Sequence, residues 1–355
     1  NIVSGNTYSD IFIIGLNSVE NLIQGNFIGT NVNGTADLLN SPPYEIGILI
    51  YDAPNNVIGG VTSEKSNIIS GISTGISIVL GNATGNKIQG NFIGTDVTGT
   101  NGIGISSRGI RIVDGASNNI IGGTTSGAKN LISDNNGHAI EIQGGGSNTI
   151  QGNFIGTDIT GSVALPNGGS GMEIVNSANN VIGGAISGAG NLISGNNAGI
   201  ALSDVNSTGN IVQGNLIGTD VTGEFALGNN SMGVHVGAAS NNMIGGTTTG
   251  AGNVIAGNGQ HGIYIFITSS SNNQIQGNKI GLNINGDPLG NGWHGIYLEG
   301  NNNTIGGPGT GSENVIAFNG WDGVFVDAGS GNAILSNRIH SNLHLGIDLN
   351  PNGVT

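Results

Sequence analysis

Gly25-Asn26-Phe27-Ile28-Gly29-Thr30 decides the reading of this chain, because it comes back. The same six residues recur at Gly90–Thr95 and Gly152–Thr157. Gly214-Asn215-Leu216-Ile217-Gly218-Thr219 is a near copy and Gly277-Asn278-Lys279-Ile280-Gly281-Leu282 a weaker one, at spacings of 65, 62, 62 and 63 residues. A second string, Asn-Asn-x-Ile-Gly-Gly followed by Asn-[Leu/Val/Ile]-Ile, lies between the copies and halves the period to about 31 residues.

Each unit holds three short apolar pieces, x-Ile-x-Gly, Asn-x-Ile and Gly-Ile-x-Ile, the last as in Gly109-Ile110-Arg111-Ile112. β-Branched residues at alternating positions, in runs of about four between Gly and Asn, predict strands. One such unit cannot bury its own inward Ile residues; stacking unit on unit aligns them into aliphatic ladders. The expectation is therefore an all-β solenoid, a single-stranded parallel β-helix of about eleven coils with three short strands each. Asn26, Asn67, Asn91, Asn130, Asn153, Asn191, Asn215, Asn253, Asn278, Asn314 and Asn337 hold one position in all eleven units. An amide at a corner can bond the same amide one coil above and below, and Asn tolerates the left-handed backbone that corners need. Alternate units lengthen at different corners, after the second strand (Thr157-Asp158-Ile159-Thr160-Gly161 onward) or after the first (Gly123-Thr124-Thr125-Ser126-Gly127). The third strand stays uninterrupted.

Composition agrees and excludes other classes. Of 355 residues 69 are Gly and 54 Asn, but only seven are Pro and no Gly-X-Y period exists, which excludes collagen. Hydrophobic residues reach 36%, too many for a disordered acidic chain. No stretch approaches ~20 apolar residues, so no membrane span is expected. A net charge of −14 argues against nucleic acid as partner. With no Cys there are no disulfides or thiolate metal sites. The sequence opens mid-pattern at Asn1-Ile2-Val3-Ser4-Gly5-Asn6 and stops at Gly353-Val354-Thr355. Residues 1–355 are taken as a single β-helix domain, a fragment or protomer of a larger assembly.

The stretches Asn148 to Gly161 and Asn210 to Gly223, with Leu345-Gly346-Ile347-Asp348-Leu349 near the end, carry a family resemblance. The chain resembles the right-handed parallel β-helix repeat proteins of the pectate-lyase-like fold. More narrowly, it is similar to long secreted bacterial surface proteins rich in Asn-x-Ile-x-Gly-Asn-x-Ile-Gly-Thr-Asp-x-Thr-Gly repeats. The resemblance implies a right-handed helix, an extracellular or cell-surface setting and a carbohydrate partner. It does not choose an activity, because the scaffold hosts lyases, hydrolases, epimerases, tailspikes and non-catalytic surface proteins.

Chemistry concentrates on the third strand. Its outward residue reads Leu49, Ser77, Arg111, Glu141, Glu173, Ala201, His235, Tyr264, Tyr297, Phe325, Asp348 through the coils. The position before the strand's Gly includes Arg108, His138, His261, His294 and Asp322, with Trp293 and Trp321 one residue earlier and His344 close by. This face gathers five of six His and both Trp in a chain where aromatics are 4% of residues, so it is not an average solvated surface. Arg111, His235, His261, Tyr264, Trp293, His294, Tyr297, Trp321 and Phe325 are the candidate glycan-binding residues, aromatics stacking on sugar faces. The competing account is an outward aromatic ladder that only stabilises the sheet, with Arg111 and Glu141 an ordinary cross-strand pair.

Catalytic candidates are His138, Glu141 and Glu173. The two carboxylates on successive coils fall ~4.8 Å apart at Cα, near the ~5–5.5 Å carboxyl separation of retaining glycosidases, and His138 could serve as acid or base. Any two stacked carboxylates meet that spacing. The Asp and Lys/Arg cluster of a calcium-dependent pectate lyase, a paired-Asp hydrolase motif and an Asp-Pro-His-Asp epimerase motif are missing. Asp96, Asp158 and Asp220 recur in Thr-Asp-x-Thr-Gly and are the candidate Ca²⁺ ligands. Ca²⁺ wants six to eight oxygens, and Asn31 and Asn283 fill the same slot uncharged, so an Asx turn is the other account. Gly144-Gly145-Gly146 lacks the Lys-Ser/Thr of a phosphate loop. Sequons stand at Asn33, Asn82, Asn206, Asn229 and Asn302. The first strand's outward row, Gln24, Gln89, Gln151, Gln213 and Gln276, is not the Thr row of an ice-binding face.

The leading expectation is a non-catalytic extracellular β-helix scaffold, fibre or adhesin segment that holds glycan along the third-strand face. The alternative is a polysaccharide lyase, glycoside hydrolase or epimerase of the same fold. A third is end-to-end self-association through open terminal coils.

Overall fold

The computed structural model of the chain describes residues 1–38 and 45–350; the closing Gly353-Val354-Thr355 lies outside them. Strands fall into three parallel sheets of twelve, twelve and eleven members, and each strand pairs with the third strand after it in the chain. That pairing requires the backbone to complete one turn between partners. The chain is a right-handed parallel β-helix. First strands run from Leu22–Ile23 to Ala333–Leu335, second strands from Ile2–Val3 to Arg338–His340, and third strands from Ser9–Ile14 to Ile347–Leu349. The eleven expected units are therefore preceded by a partial coil, in which Ile2–Val3 and Ser9–Ile14 supply a second and a third strand.

The register explains the core. Ile58, Ile88, Ile121, Ile150 and Ile182 are direct partners in the first sheet, and all are fully buried. Ile69, Ile93, Ile132, Ile155 and Ile193 do the same in the second. The third sheet contributes two inward rows, such as Ile110/Ile112 above Ile140/Ile142. These rows form one continuous apolar cluster. Each fully buried Ile contributes roughly 2 kcal/mol by removal from water.

The Asn ladder exists and starts one coil earlier than expected, at Asn1, whose amide donates to Asn26 Oδ1 at 2.8 Å. Two further ladders accompany it. One precedes the first strands, from Asn21 and Asn56 to Asn303 and Asn332. The other precedes the third strands, but only from Asn135 to Asn342. The expected left-handed backbone is not at the ladder residues. It falls on the residue just before a ladder position, as at Asn55, Asn118, Asn179 and Asn241 ahead of the first strands and Gly25, Gly90 and Gly152 ahead of the second, with φ of 56–67°.

The corner insertions settle which faces are open. Loops after the second strand stack on one another across two coils: Ile159 N–H donates to Gly99 O, and Val221 N–H to Gly161 O, both at 2.9 Å. Their apolar side chains cover the outside of the second sheet, where Leu131, Phe154 and Leu192 form a second small core with Ile159 and Leu216. Among the described residues no second apolar cluster of this kind forms on the outside of the third sheet, whose outward row is half-exposed from His235 to Phe325.

Candidate functional site

The outward column of the third sheet pairs as the sequence predicts. Ser77, Arg111, Glu141, Glu173, Ala201, His235, Tyr264, Tyr297, Phe325 and Asp348 are direct partners from coil to coil. The face has two chemically different halves.

The half nearer the N-terminus is ionic. Arg108 and Arg111 both lie against Glu141 Oε2, with Nε at 2.5 and 3.3 Å. Glu141 is buried beneath them. Glu173 accepts from Ser170 Oγ at 3.1 Å and Ser203 Oγ at 2.9 Å. His138 Nδ1 accepts from the Ser170 amide at 3.1 Å. The structure thus places His138 and Glu141 on one coil and Glu173 on the next, each already engaged by its neighbours. Arg111 belongs to this cluster and not to the aromatic one.

The half nearer the C-terminus is aromatic. His261 and His294 stack at 5.4 Å, and His294 stacks on Phe325 at 4.7 Å. Tyr264 and Tyr297 meet edge to face at 5.0 Å, and His235 lies 5.5 Å from Tyr264. Trp293 presents its edge to His261 at 5.1 Å, while Trp321 stacks on His344 at 5.2 Å. The result is a strip: His261 and His294 are buried in its floor, Tyr264, Tyr297 and Phe325 are half-buried, and Trp293 and Trp321 form one edge, 46% and 50% exposed.

Three residues of the strip were not singled out from sequence. Phe266 lies 5.4 Å from Tyr264. Tyr264 O–H donates to Glu299 Oε1 at 3.0 Å, and Tyr297 O–H to Asp327 Oδ2 at 2.8 Å. The remaining oxygens accept from the Ile267 amide and from Asn350 Nδ2. Burial first, then the hydrogen bond to the carboxylate, push both tyrosine hydroxyls above their ordinary range. A usable signal existed: Glu299 and Asp327 stand two residues beyond the direct partners of the two tyrosines, the diagonal neighbour on the same face.

His235, His261 and His294 are pushed toward the neutral form. Burial lowers His235. Burial and then the charge of His294 push His261 down to about 4. Burial lowers His294 too, against the opposing pull of Asp322 and Asp348. His294 Nδ1 accepts from the Asp322 amide at 3.2 Å and sits 3.1 Å from Asp322 Oδ2, so a proton arriving there exchanges amide for carboxylate. A histidine whose folded value lies below its unfolded one, near 6.5, stabilises fully above that pH and loses the contribution as pH falls toward the folded value. For His261 the loss amounts to roughly 3 kcal/mol by pH 4. Both tryptophans lie in this segment. Their fluorescence is expected to report unfolding at lower urea at pH 4.5 than at pH 7, and His261→Gln should flatten that dependence. An equal pH dependence in both proteins would refute it.

The Thr-Asp-x-Thr-Gly carboxylates close their own loops. Asp158 Oδ1 accepts from the Ser162 and Val163 amides at 3.2 and 3.1 Å and from Thr160 Oγ1 at 2.8 Å. Asp96 is bonded the same way by Thr98, Thr100 and Asn101, and Asp220 by Thr222, Glu224 and Phe225. Burial raises Asp96 and Asp158, but these hydrogen bonds outweigh it and hold both below the ordinary carboxylate value. Asn31 accepts the corresponding amides of Asn33 and Thr35, and Asn283 those of Asn285 and Asp287. An uncharged amide does the same work, which identifies the slot as a turn device. Among the described residues no three His, Asp or Glu converge on a common point.

Of the sequons, Asn33, Asn82, Asn206 and Asn302 are exposed. Asn229 is not a glycosylation acceptor in the folded chain, because it is buried in the third ladder and bonds Ile193 O and Asn258 Oδ1. At the first coil, burial followed by the neighbouring Glu45 charge raises Asp10 to about 7, with Asn6 opposing. Glu45 Oε1 accepts the Gly5 and Asn6 amides there. No helix among the described residues is long and apolar enough to cross a membrane.

No family model matches the chain, and no curated protein matches it. Among solved structures it is similar to the periplasmic alginate epimerase AlgG, at 15% identity over 88% of this chain and 70% of that one, TM-score 0.36. It is similar to the A-module of the mannuronan C-5 epimerase AlgE4 of Azotobacter vinelandii, at 12% identity over 97% of each chain, TM-score 0.35. The Dettilon tailspike protein matches at 15% identity over 95% of this chain and 61% of that one, TM-score 0.34. These similarities concern the course of the backbone.

Proposed function

We propose that the chain is a non-catalytic β-helix rod that holds glycan along the C-terminal half of its third sheet, as part of an extracellular or cell-surface assembly. The observation that carries this is the aromatic strip on the outer face of the third sheet, edged by half-exposed Trp293 and Trp321. Aromatic rings with apolar faces and nearby hydrogen-bonding groups suit pyranose rings, which offer C–H faces and a rim of hydroxyls. The strip runs along the rod axis, so a polymer lying on it meets a new ring every ~4.8 Å. A ladder needed for the sheet alone gains nothing from leaving two tryptophans half in water, since burial of apolar area is what stabilises.

Against catalysis stands the condition of the candidates. A general acid or base must reach the proton it moves. Glu141 is covered by two guanidinium groups, and Glu173 is held by two serine hydroxyls.

The test is native electrophoresis through gels containing single polysaccharides. Retarded migration is expected with at least one polymer, and Tyr297→Ala should abolish it. Cleared polymer would replace this reading with the enzymatic one, and unaltered migration across a broad panel would overturn it.

A further inference from the structure

We infer that the aromatic strip selects neutral glycans and excludes polymers of uronic acids. This rests on the glycan reading above and adds the charge class of the ligand. The edge of the strip opposite the tryptophans is built from Glu299 and Asp327, each accepting one tyrosine O–H. An ionised carboxylate is acceptor-only, with about four lone-pair sites on its two oxygens. Each of these carboxylates has two sites filled from within the protein, leaving room for a donor from outside. Sugar hydroxyls donate; a uronate carboxylate cannot. Asp322 and Asp348 add negative charge on the coils beyond Tyr297.

Among the described residues no Lys or Arg forms an ion pair with them. Along the column Arg111 stands six coils from Tyr297, the coil that carries Glu299, about 29 Å at the spacing of paired strands. That is more than twice the Debye length of about 8–10 Å at physiological salt. Arg338 lies on the second sheet and pairs with Glu313 at 3.1 Å. Burial pushes His235, His261 and His294 toward the neutral form. The anionic edge therefore acts on a ligand through apolar surroundings, where charge repulsion exceeds its value in water. The whole chain, at −14, repels in the same direction.

The decisive comparison holds the sugar backbone constant and changes only its charge. The full chain is run at pH 7 and low salt through gels containing polygalacturonate or its carboxyl-reduced form, a neutral galactan. Neutral glucan and mannan gels complete the panel. Neutral polymers are expected to retard it, and Trp321→Ala to abolish the effect. Galactan should bind at least about tenfold more tightly than polygalacturonate, the factor that corresponds to one charge repulsion of about 1.4 kcal/mol. Glu299→Gln, which keeps an acceptor for Tyr264, should raise binding of polygalacturonate. Equal retardation by the charged and reduced polymers would overturn the selectivity and leave the glycan face standing. No retardation by any polymer would overturn the glycan face itself and the selectivity with it.

Discussion

Asn153→Ala is expected to destabilise the rod by about 4 kcal/mol or more. Asn153 sits in the middle of the first ladder and is fully buried. Its Nδ2 donates to Asn191 Oδ1 and to Ile121 O, both at 3.0 Å, and its Oδ1 accepts the Asn130 amide and Nδ2 at 3.3 and 2.9 Å. Truncation leaves Ile121 O and two Asn130 donors in an interior without water. Each such group costs about 1–3 kcal/mol when its partner is removed, and the missing side chain leaves a cavity as well. The exposed Asn206, whose amide bonds Asn176 Oδ1 at 3.1 Å in solvent, is the control; Asn206→Ala should cost under about 0.5 kcal/mol. Long repeat arrays do not unfold in one step. The quantity to compare is therefore the shift in urea midpoint, together with amide exchange in the coils holding Asn130 and Asn191. Slow exchange unchanged in those coils would refute the argument.

That ladder was legible because one residue type held one position in every unit. The inward Ile rows were legible for the same reason, and period-two alternation then placed the outward column correctly from Leu49 to Asp348. The third ladder was not legible. It begins only at Asn135, which pairs with Ile105 in the coil above, where the corner is still apolar. The insertion between second and third strands also varies in length, so no constant offset marks the position. The left-handed residues were misplaced because tolerance of a conformation does not show where the chain uses it. Residues such as Glu20 and Ser147 occupy that corner as well as Asn and Gly, held by the pairing on either side. The stacking of the loops that carry Asp96, Asp158 and Asp220 was not legible either, because it rests on backbone hydrogen bonds between loops two coils apart.

The site divides along the same line. Which residues share the third-strand face follows from alternation alone. Which of them interact depends on side-chain reach across the diagonal, and that joined Arg108 to Glu141 and the tyrosines to Glu299 and Asp327. The ionic and aromatic halves are one face by register and two by chemistry.

Gly122→Ala is expected to be worse than the loss of any single Asn, and the reason lies in packing more than in dihedral preference. Gly122 ends a first strand with φ +83°, a conformation that costs an L-residue about 1–2 kcal/mol. A Cβ there would fall 2.0 Å from Gln151 O and 2.5 Å from Asn153 Oδ1, the backbone of the next coil and the ladder amide itself. Neither can yield without breaking the stack. Gly59, Gly183, Gly245 and Gly306 meet the following coil in the same way, at 1.9–2.0 Å. Gly144 separates the two effects, because its φ is +70° but no atom lies within 4 Å of its would-be Cβ. Gly144→Ala should therefore fold and lose only about 1–2 kcal/mol, the dihedral cost. Gly122→Ala should lose more than about 4 kcal/mol, the range reserved for steric disruption of a core, or fail to fold. Thermal unfolding of the two variants beside the parent chain decides the matter. Comparable losses would mean that the glycine row serves backbone conformation alone, and that the coils are not packed as closely as their carbonyl contacts require.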